Sequence, residues 1–150
     1  MRYAILLAVS LLILVGGVAC QPRNTATGRQ SEVTGRVVKV FYIHRDVRCP
    51  SCETIETLSK RALDEGFSEE MAAGRLTWLS LSIDNAADAH FESDYTITEQ
   101  SVVVAEFVGD RQTRWKKLDK VWDLFVDEPA FLAYVTKEVK DYLAERGMES

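Results

Sequence analysis

The sequence is poor in side chains that bind metal ions. Its 150 residues contain three cysteines and two histidines, His44 and His90. A structural zinc site needs four ligands, usually from two Cys-x-x-Cys pairs or from one pair and two spaced histidines. Covalent haem attachment requires a histidine directly after the second cysteine of such a pair, and Glu53 stands there instead. Zinc is therefore disfavoured, and covalent haem is excluded.

Positive charge and nucleotide-binding loops are scarce as well. The chain has 18 Lys and Arg against 23 Asp and Glu, so its formal net charge is -5, and the basic residues are scattered. Nucleic acid binders usually present a basic face, so no nucleic acid partner is predicted. The sequence has no Gly-rich phosphate loop and no flavin or nicotinamide fingerprint. It therefore predicts no bound nucleotide cofactor.

Long apolar runs are missing everywhere except at the N-terminus. Arg2 precedes an apolar run over residues 4–15, and small residues then lead to Cys20. This is the layout of a secretory signal, and the run is shorter than the roughly 20 residues that span a bilayer. The pattern predicts a signal peptide over residues 1–19, with a permanent transmembrane anchor as the alternative.

Residues 17–20, GVAC, resemble the lipobox of bacterial lipoproteins. Val18 and Ala19 fit that pattern, whereas Gly17 stands where it usually has Leu. The resemblance implies that Cys20 is lipidated and becomes the mature N-terminus, and the alternative is a plain signal cut nearby. Because acyl chains at Cys20 would bind a membrane, we expect the protein on the extracytoplasmic face of the cell envelope, the periplasmic side if the cell is Gram-negative.

A polar stretch separates this leader from the rest of the chain. Residues 20–35 lack apolar periodicity and contain Pro22 and Gly28, which predicts a lipid-attached flexible tether. The folded domain is predicted over residues 36–147.

With Cys20 bound to lipid, only Cys49 and Cys52 remain free to form a disulfide. Exported proteins meet an oxidising compartment in which disulfides persist. A bridge across so short a loop restrains the unfolded chain very little. The pair is therefore better explained by chemistry than by a contribution to stability.

The order of elements predicts an α/β fold. Apolar, β-branched and aromatic residues predict strands over residues 36–44, 75–83, 101–108 and 111–118. Helical spacing predicts a long helix from Pro50 to Gly66 and a last long helix from about Asp127. Asp84, Asn85 and Ala86 are expected to lead into a short helix after the second strand, with Asn85 as its candidate cap. The alternating first half implies parallel strands with a crossover helix, and Gly109-Asp110 predicts a hairpin. We therefore predict a central mixed four-stranded sheet, βαβ followed by ββα, with flanking helices.

The motif Cys49-Pro50-Ser51-Cys52 lies between the end of the first predicted strand and the start of the first predicted helix. A redox Cys-x-x-Cys motif typically occupies this position. By this motif and by its order of elements, the chain resembles the thioredoxin-like superfamily over about residues 36–146. The segments VKVFYIHRDVRCPSCETIE and RWKKLDKVW are also similar to a bacterial thioredoxin-like family. That family is the nitrophenyl-compound nitroreductase subunit family called ArsF.

The resemblance implies roles for individual residues. Cys49 takes the position of the exposed nucleophile, and Cys52 takes that of the resolving cysteine. Thioredoxins carry a cis-proline opposite the disulfide, and Ser101 stands at that position in this chain. A trans serine there would alter how the backbone of a substrate docks beside the sulfurs. Residues 41–43 also lack the buried acid that usually accepts a proton late in the first strand.

The residues themselves support a reactive pair. A cysteine at the start of a helix faces unpaired N–H groups and the positive end of the helix dipole, and both favour the thiolate. Arg45 and Arg48 supply positive charge near Cys49, and Cys52 lies one helical turn further on. We therefore expect thiol–disulfide exchange with a partner protein, with no cofactor beyond the Cys49–Cys52 disulfide and no metal.

Several alternatives stay open at this point. The reduced pair could hold copper(I) through two thiolates, or the disulfide could be purely structural. The domain could also be a non-catalytic binding module or an accessory subunit. As the family name suggests, the protein could be the redox subunit of a nitroaromatic-reducing system, in which another chain would hold the cofactor.

Overall fold

The structure is a computed structural model that describes residues 35–144. The predicted signal peptide, the lipidation site Cys20, the tether up to Thr34 and the last predicted domain residues, 145–147, lie outside this range. None of the helices within residues 35–144 is long and apolar enough to cross a membrane. The elements in chain order are β1 (Arg36–His44), α1 (Pro50–Gly66), α2 (Ser68–Ala72), β2 (Leu76–Ser82), α3 (His90–Asp94), β3 (Ser101–Val108), β4 (Arg111–Lys117), α4 (Val121–Leu124) and α5 (Glu128–Ala144).

The four strands form one mixed sheet in the order β2-β1-β3-β4. Strand β1 pairs in parallel with β2 and antiparallel with β3, and β3 pairs antiparallel with β4. This is the strand order and direction of the thioredoxin-like fold. The predicted fold class, an α/β fold with a mixed four-stranded sheet and flanking helices, is confirmed.

The central strand β1 is buried on both faces because its successive side chains point to opposite sides of the sheet. Val40 and Tyr42 join the larger core cluster, in which α1 and α5 cover one face. Phe41 and Ile43 join a second cluster on the other face, beside α3. The nearly continuous apolar run of β1 is therefore explained by burial on two sides.

Helix α1 begins directly after Cys49, which is its N-cap residue in an extended conformation. Pro50 occupies the first turn, as predicted, since a first-turn residue needs no hydrogen-bonded N–H. The buried face of the helix carries Ile55, Leu58 and Leu63, and it anchors the helix on the sheet. These two features fix the motif at the junction between β1 and α1.

The directions of the strands bring four segments to one edge of the sheet. Strands β1, β2 and β4 end at the edge where β3 begins. This edge is therefore shared by the loop before Cys49, the segment after β2, the start of β3 at Ser101 and the segment that leads from β4 into α4. The thioredoxin-like arrangement thus gathers chain segments that are far apart in sequence around the cysteine motif.

Two details differ from the sequence-based expectation. The short helix after β2 starts at His90, later than predicted, because the Asn85 side chain instead stabilises a turn by accepting a hydrogen bond from the N–H of Ala87 at 3.3 Å. Helix α4 was not predicted at all, since its four residues are too few to show an apolar period. The hairpin turn was predicted correctly, and Gly109 adopts a φ of 60° there.

Candidate redox site

Cys49 and Cys52 form a disulfide at the N-terminal end of α1, with their Cα atoms 5.1 Å apart. The two sulfurs differ sharply in exposure. Cys49 is exposed, whereas Cys52 is only 2% exposed and belongs to the core. Access from solvent therefore favours attack at Cys49 over attack at Cys52.

The backbone at the start of α1 points hydrogen-bond donors at Cys49. The N–H of Cys52 donates to the Cys49 Sγ at 3.2 Å, and the N–H of Glu53 donates to the Cys49 carbonyl at 3.1 Å. Cys49 thus caps the helix with its own sulfur. After reduction the Cys52 N–H and the helix dipole would favour a thiolate at Cys49.

The two arginines near the motif are both ion-paired. Arg45 donates to Asp84 at 3.1 Å and to Glu92 at 2.5 Å. Arg48, the residue before Cys49, forms an ion pair with Glu56 of α1. The positive charge that the sequence placed beside Cys49 is therefore balanced by carboxylates rather than free.

Tyr42 lies late in β1, within residues 41–43, where the resemblance implies a buried acid and the sequence has none. Its hydroxyl donates to the Cys52 carbonyl at 2.7 Å, and its ring lies 5.3 Å from the Arg48 guanidinium carbon. Burial raises the pKa of Tyr42 to about 12, although Arg48 pulls it the other way. Tyr42 therefore keeps its proton at neutral pH and serves as a hydrogen-bond donor.

Glu56 joins these groups to strand β2. It accepts a hydrogen bond from the Ser80 hydroxyl at 2.6 Å in addition to its contact with Arg48. Burial acts to raise the pKa of the Glu56 carboxyl, but the hydrogen bonds from Ser80 and Arg48 outweigh it and hold that pKa below its usual value. We call Tyr42, Arg48, Glu56 and Ser80 the charged cluster.

The start of β3 is held by uncharged contacts instead. Ser101 is 4% exposed, and its hydroxyl donates to the Glu99 carbonyl at 2.7 Å. The Trp122 indole N–H donates to the Gln100 carbonyl at 2.9 Å. No cis peptide bond occurs among the residues described. Ser101 thus begins β3 in a segment of trans peptide bonds, and hydrogen bonds fix this segment.

Exposed side chains flank Cys49 along the chain. Val47, two residues before it, is 85% exposed, and Pro50 after it is exposed as well. His44 ends β1 and stacks on the Tyr42 ring at 5.6 Å. His90 is exposed, and its Nδ1 lies 3.0 Å from the Asp94 Oδ2.

The structure also gives the surroundings of Ser51 and of two tryptophans, Trp115 and Trp122. Ser51 is half-buried in the first turn of α1, so it spaces the two cysteines. Trp122 packs against the larger core cluster, whereas Trp115 is 38% exposed and contacts Tyr95 edge to face at 5.1 Å. Across residues 35–144, no three His, Cys, Asp or Glu side chains gather as a metal site would require.

No protein-family model and no curated protein matches the chain. Among solved structures, thioredoxin O2 from Arabidopsis thaliana in the oxidised state has a TM-score of 0.40 and 15% sequence identity, covering 73% of this chain and 76% of that one. A structure described as a malarial protein has the same TM-score and identity, covering 67% of this chain and 96% of that one. These likenesses are too distant to support an argument about function.

Sequence reasoning missed Tyr42, Glu56 and Ser80 as neighbours of the motif. These residues come from β1, α1 and β2, and no spacing in the sequence links them. The one available signal was the charge of Glu56, which lies one helical turn after Cys52 and so on the side of the helix nearest the motif. The link between Trp122 and Gln100 had no signal, because helix α4 was not predicted.

Proposed function

We propose that this protein is a thiol–disulfide oxidoreductase in which Cys49 attacks and Cys52 resolves. One observation carries the proposal: an exposed sulfur at the cap of a helix is bonded to a sulfur that is only 2% exposed. Reactive cysteines sit in accessible, electropositive surroundings, whereas buried ones are inert until a partner sulfur is presented. A structural bridge has no need of this asymmetry.

The proposed cycle transfers two electrons and two protons between the Cys49–Cys52 pair and a disulfide of a partner protein. The Cys49 thiolate attacks a partner protein's disulfide, so that a mixed disulfide forms and one partner sulfur leaves as a thiolate. The Cys52 thiolate then attacks the Cys49 sulfur and releases the second partner sulfur. Two electrons pass from the Cys49–Cys52 dithiol to the partner disulfide, and the leaving thiolates take up the two protons. The reverse sequence oxidises a partner dithiol.

The start of β3 favours a narrow range of partners. The Gln100 carbonyl already accepts a hydrogen bond from the Trp122 indole, and the Ser101 hydroxyl already donates to the Glu99 carbonyl. Each group can therefore offer a bound peptide only its remaining acceptor lone pairs, because the single hydroxyl proton of Ser101 is already donated to Glu99. This supports a dedicated partner, and it also keeps an accessory-subunit role as the second candidate.

We further propose, on the features of the sequence, that the domain is held at the extracytoplasmic face of the envelope by lipid at Cys20. Residues 1–19 would be removed, and residues 20–35 would tether the domain. Labelled palmitate should mark the wild-type protein and not the Cys20→Ala variant. A label that survives this substitution would contradict the lipoprotein proposal.

The similarity of two segments to the nitroreductase-subunit family suggests one possible system. There the dithiol would deliver electrons to another chain that holds the cofactor and reduces a nitroaromatic compound. Co-purification with a flavin- or nicotinamide-binding chain, together with loss of its activity in Cys49→Ser, would support this role. A complex that keeps full activity without Cys49 would favour the accessory module.

The redox proposal is tested in glutathione buffers of varied ratio, followed by thiol alkylation. The Cys49–Cys52 pair should show one two-electron transition within the range that glutathione buffers reach. Cys52→Ser should then accumulate a glutathione adduct on Cys49, whereas the wild type should release glutathione as it closes its own disulfide. A pair that stays unreactive at every ratio would overturn the proposed function.

A further inference from the structure

Arg48 is the charged group nearest to Cys49 along the chain, and the structure shows it held rather than free. Its guanidinium forms the ion pair with Glu56 and lies over the Tyr42 ring. Both members of the pair are largely shielded, with 22% and 26% of their side chains exposed. By contrast, the Arg45 side chain is 52% exposed, so water and salt screen its pairs more strongly.

We propose that Glu56 is a positioning residue that sets the redox equilibrium of the Cys49–Cys52 pair by holding and balancing the charge of Arg48. This inference rests on the proposed function, since it concerns the same two sulfurs. Glu56 belongs to α1 and is fixed a second time by Ser80 of β2. It therefore holds Arg48 in one place beside the start of the helix.

The sign of the effect follows from the charges of the two redox states. The oxidised disulfide is neutral, whereas the reduced pair carries a thiolate. A positive group near Cys49 stabilises the reduced state and makes the pair more oxidising, as in strongly oxidising members of this chemistry. A carboxylate beside that positive group cancels part of the effect. Glu56 should therefore keep the pair more reducing than Arg48 alone would make it.

One hydrogen-bond donor of Arg48 takes no part in the ion pair with Glu56. Its Nε–H is buried and has no acceptor among the residues described. An arginine retained only to fasten α1 would be expected to use its donors on structural partners. The ion pair with Glu56 therefore does not account for the Nε–H of Arg48. The other titratable groups around the cluster are Glu53 and His44, and they are unchanged in the variants below.

The test is a double-mutant cycle on the full chain in glutathione buffers. Glu56→Gln should lower the equilibrium constant for oxidising the pair by about threefold to tenfold, where tenfold corresponds to about 30 mV for a two-electron couple. Arg48→Gln should raise the same constant. The double variant should return to within about twofold of the wild type, because it removes both charges.

A matched control lies on the same helix. Asp64→Asn also removes one carboxylate from α1, where Asp64 pairs with Lys60 at 2.5 Å, but it lies three helical turns beyond the cysteines. Its equilibrium constant should equal that of the wild type. Glu56→Asp keeps the charge and should restore most of the wild-type value. The pH midpoint of Cys49 alkylation in the reduced protein should fall in Glu56→Gln and rise in Arg48→Gln.

The outcomes separate this inference from the proposed function. A wild-type pair that never titrates with glutathione overturns both. A wild type that titrates normally while Glu56→Gln and Arg48→Gln match it overturns only the role of Glu56. Shifts of the same sign in both single variants would indicate loosening of the helix start, and they would also overturn it.

Discussion

Cys49 and Cys52 are three residues apart and bonded to each other, yet their surroundings have little in common. Cys49 is exposed, caps α1 and accepts a backbone N–H at its sulfur. Cys52 lies in the core, and its carbonyl accepts the hydroxyl of the buried Tyr42. Cys49 is the extended N-cap residue outside the helix, whereas Cys52 lies within the first turn on the buried face of α1. The difference in exposure between the two sulfurs therefore comes from the position of the helix start.

The same contrast extends to the two sets of contacts at this edge of the sheet. The charged cluster gathers around Tyr42 and Arg48, on the side of α1 and β2. The start of β3 is held by Ser101 and Trp122 through hydrogen bonds to backbone carbonyls. Charged groups near Cys49 change the free energy of its thiolate, whereas the hydrogen bonds at the start of β3 fix the shape of the backbone there. We infer that the first set adjusts reactivity and that the second fixes the docking edge.

The contrast between the sulfurs is tested first by serine substitutions, for which we expect the largest effect on stability. Cys49→Ser and Cys52→Ser both remove the disulfide, so their difference reports only on the two positions. Cys52→Ser should be less stable by about 1–3 kcal/mol, because it places a hydroxyl in the core. Urea unfolding measures this, with reduced wild type as the reference. Equal stabilities would show that the two environments do not differ energetically.

Tyr42→Phe probes the buried side of the contrast. It removes the hydrogen bond to the Cys52 carbonyl and should cost about 1 kcal/mol at neutral pH. The pKa of Tyr42 is raised from 10.0 to about 12 in the folded protein. The stabilisation is therefore complete below pH 10 and is lost as the pH rises towards 12.

Unfolding measured between pH 9 and 12 checks the sign of this dependence. Wild type should lose stability over that window, and Tyr42→Phe should lose less. Tyr95 lies on the other face of the sheet, and burial raises its pKa to about 12 as well. Tyr95→Phe is therefore a matched control, and it should reduce the loss of stability between pH 9 and 12 by a similar amount. A Tyr42→Phe variant with an unchanged pH dependence would contradict the assignment.

Trp122→Phe probes the uncharged side and should have the smallest effect. It removes the indole N–H that binds the Gln100 carbonyl, and water can replace this donor because Gln100 is only half-buried. We expect a loss of about 0.5 kcal/mol in unfolding free energy and no change in the glutathione equilibrium. Trp115→Phe should change neither quantity. A large shift in the redox equilibrium would mean that the two sets of contacts are not separate.

Much of the fold was predictable because its signals are local. The apolar run of residues 36–44 predicted β1, and Pro50 after Cys49 predicted the start of α1. Sequence also placed Ser101 at the start of β3. These features depend on residues that are close in the chain, and the structure confirms them.

The surroundings of the sulfurs were predictable only in part, because they depend on contacts between distant segments. Arg48 was expected to act as a free positive charge, and only the packing of α1 on the sheet brings Glu56 to it. Tyr42 could be placed in β1, but its hydrogen bond to the Cys52 carbonyl depends on the packing of α1 against β1. The link from Trp122 to Gln100 required α4, a helix too short to leave a pattern.

The central claim is that Cys49 and Cys52 have different roles, and alkylation of the reduced protein tests it most directly. Limiting iodoacetamide is added to the reduced full chain at pH 7, and the labelled peptides are quantified over time by mass spectrometry. Labelling of Cys49 should be at least about tenfold faster than that of Cys52, and the two rates should converge in urea. Equal rates in the folded protein, or faster labelling of Cys52, would contradict the account.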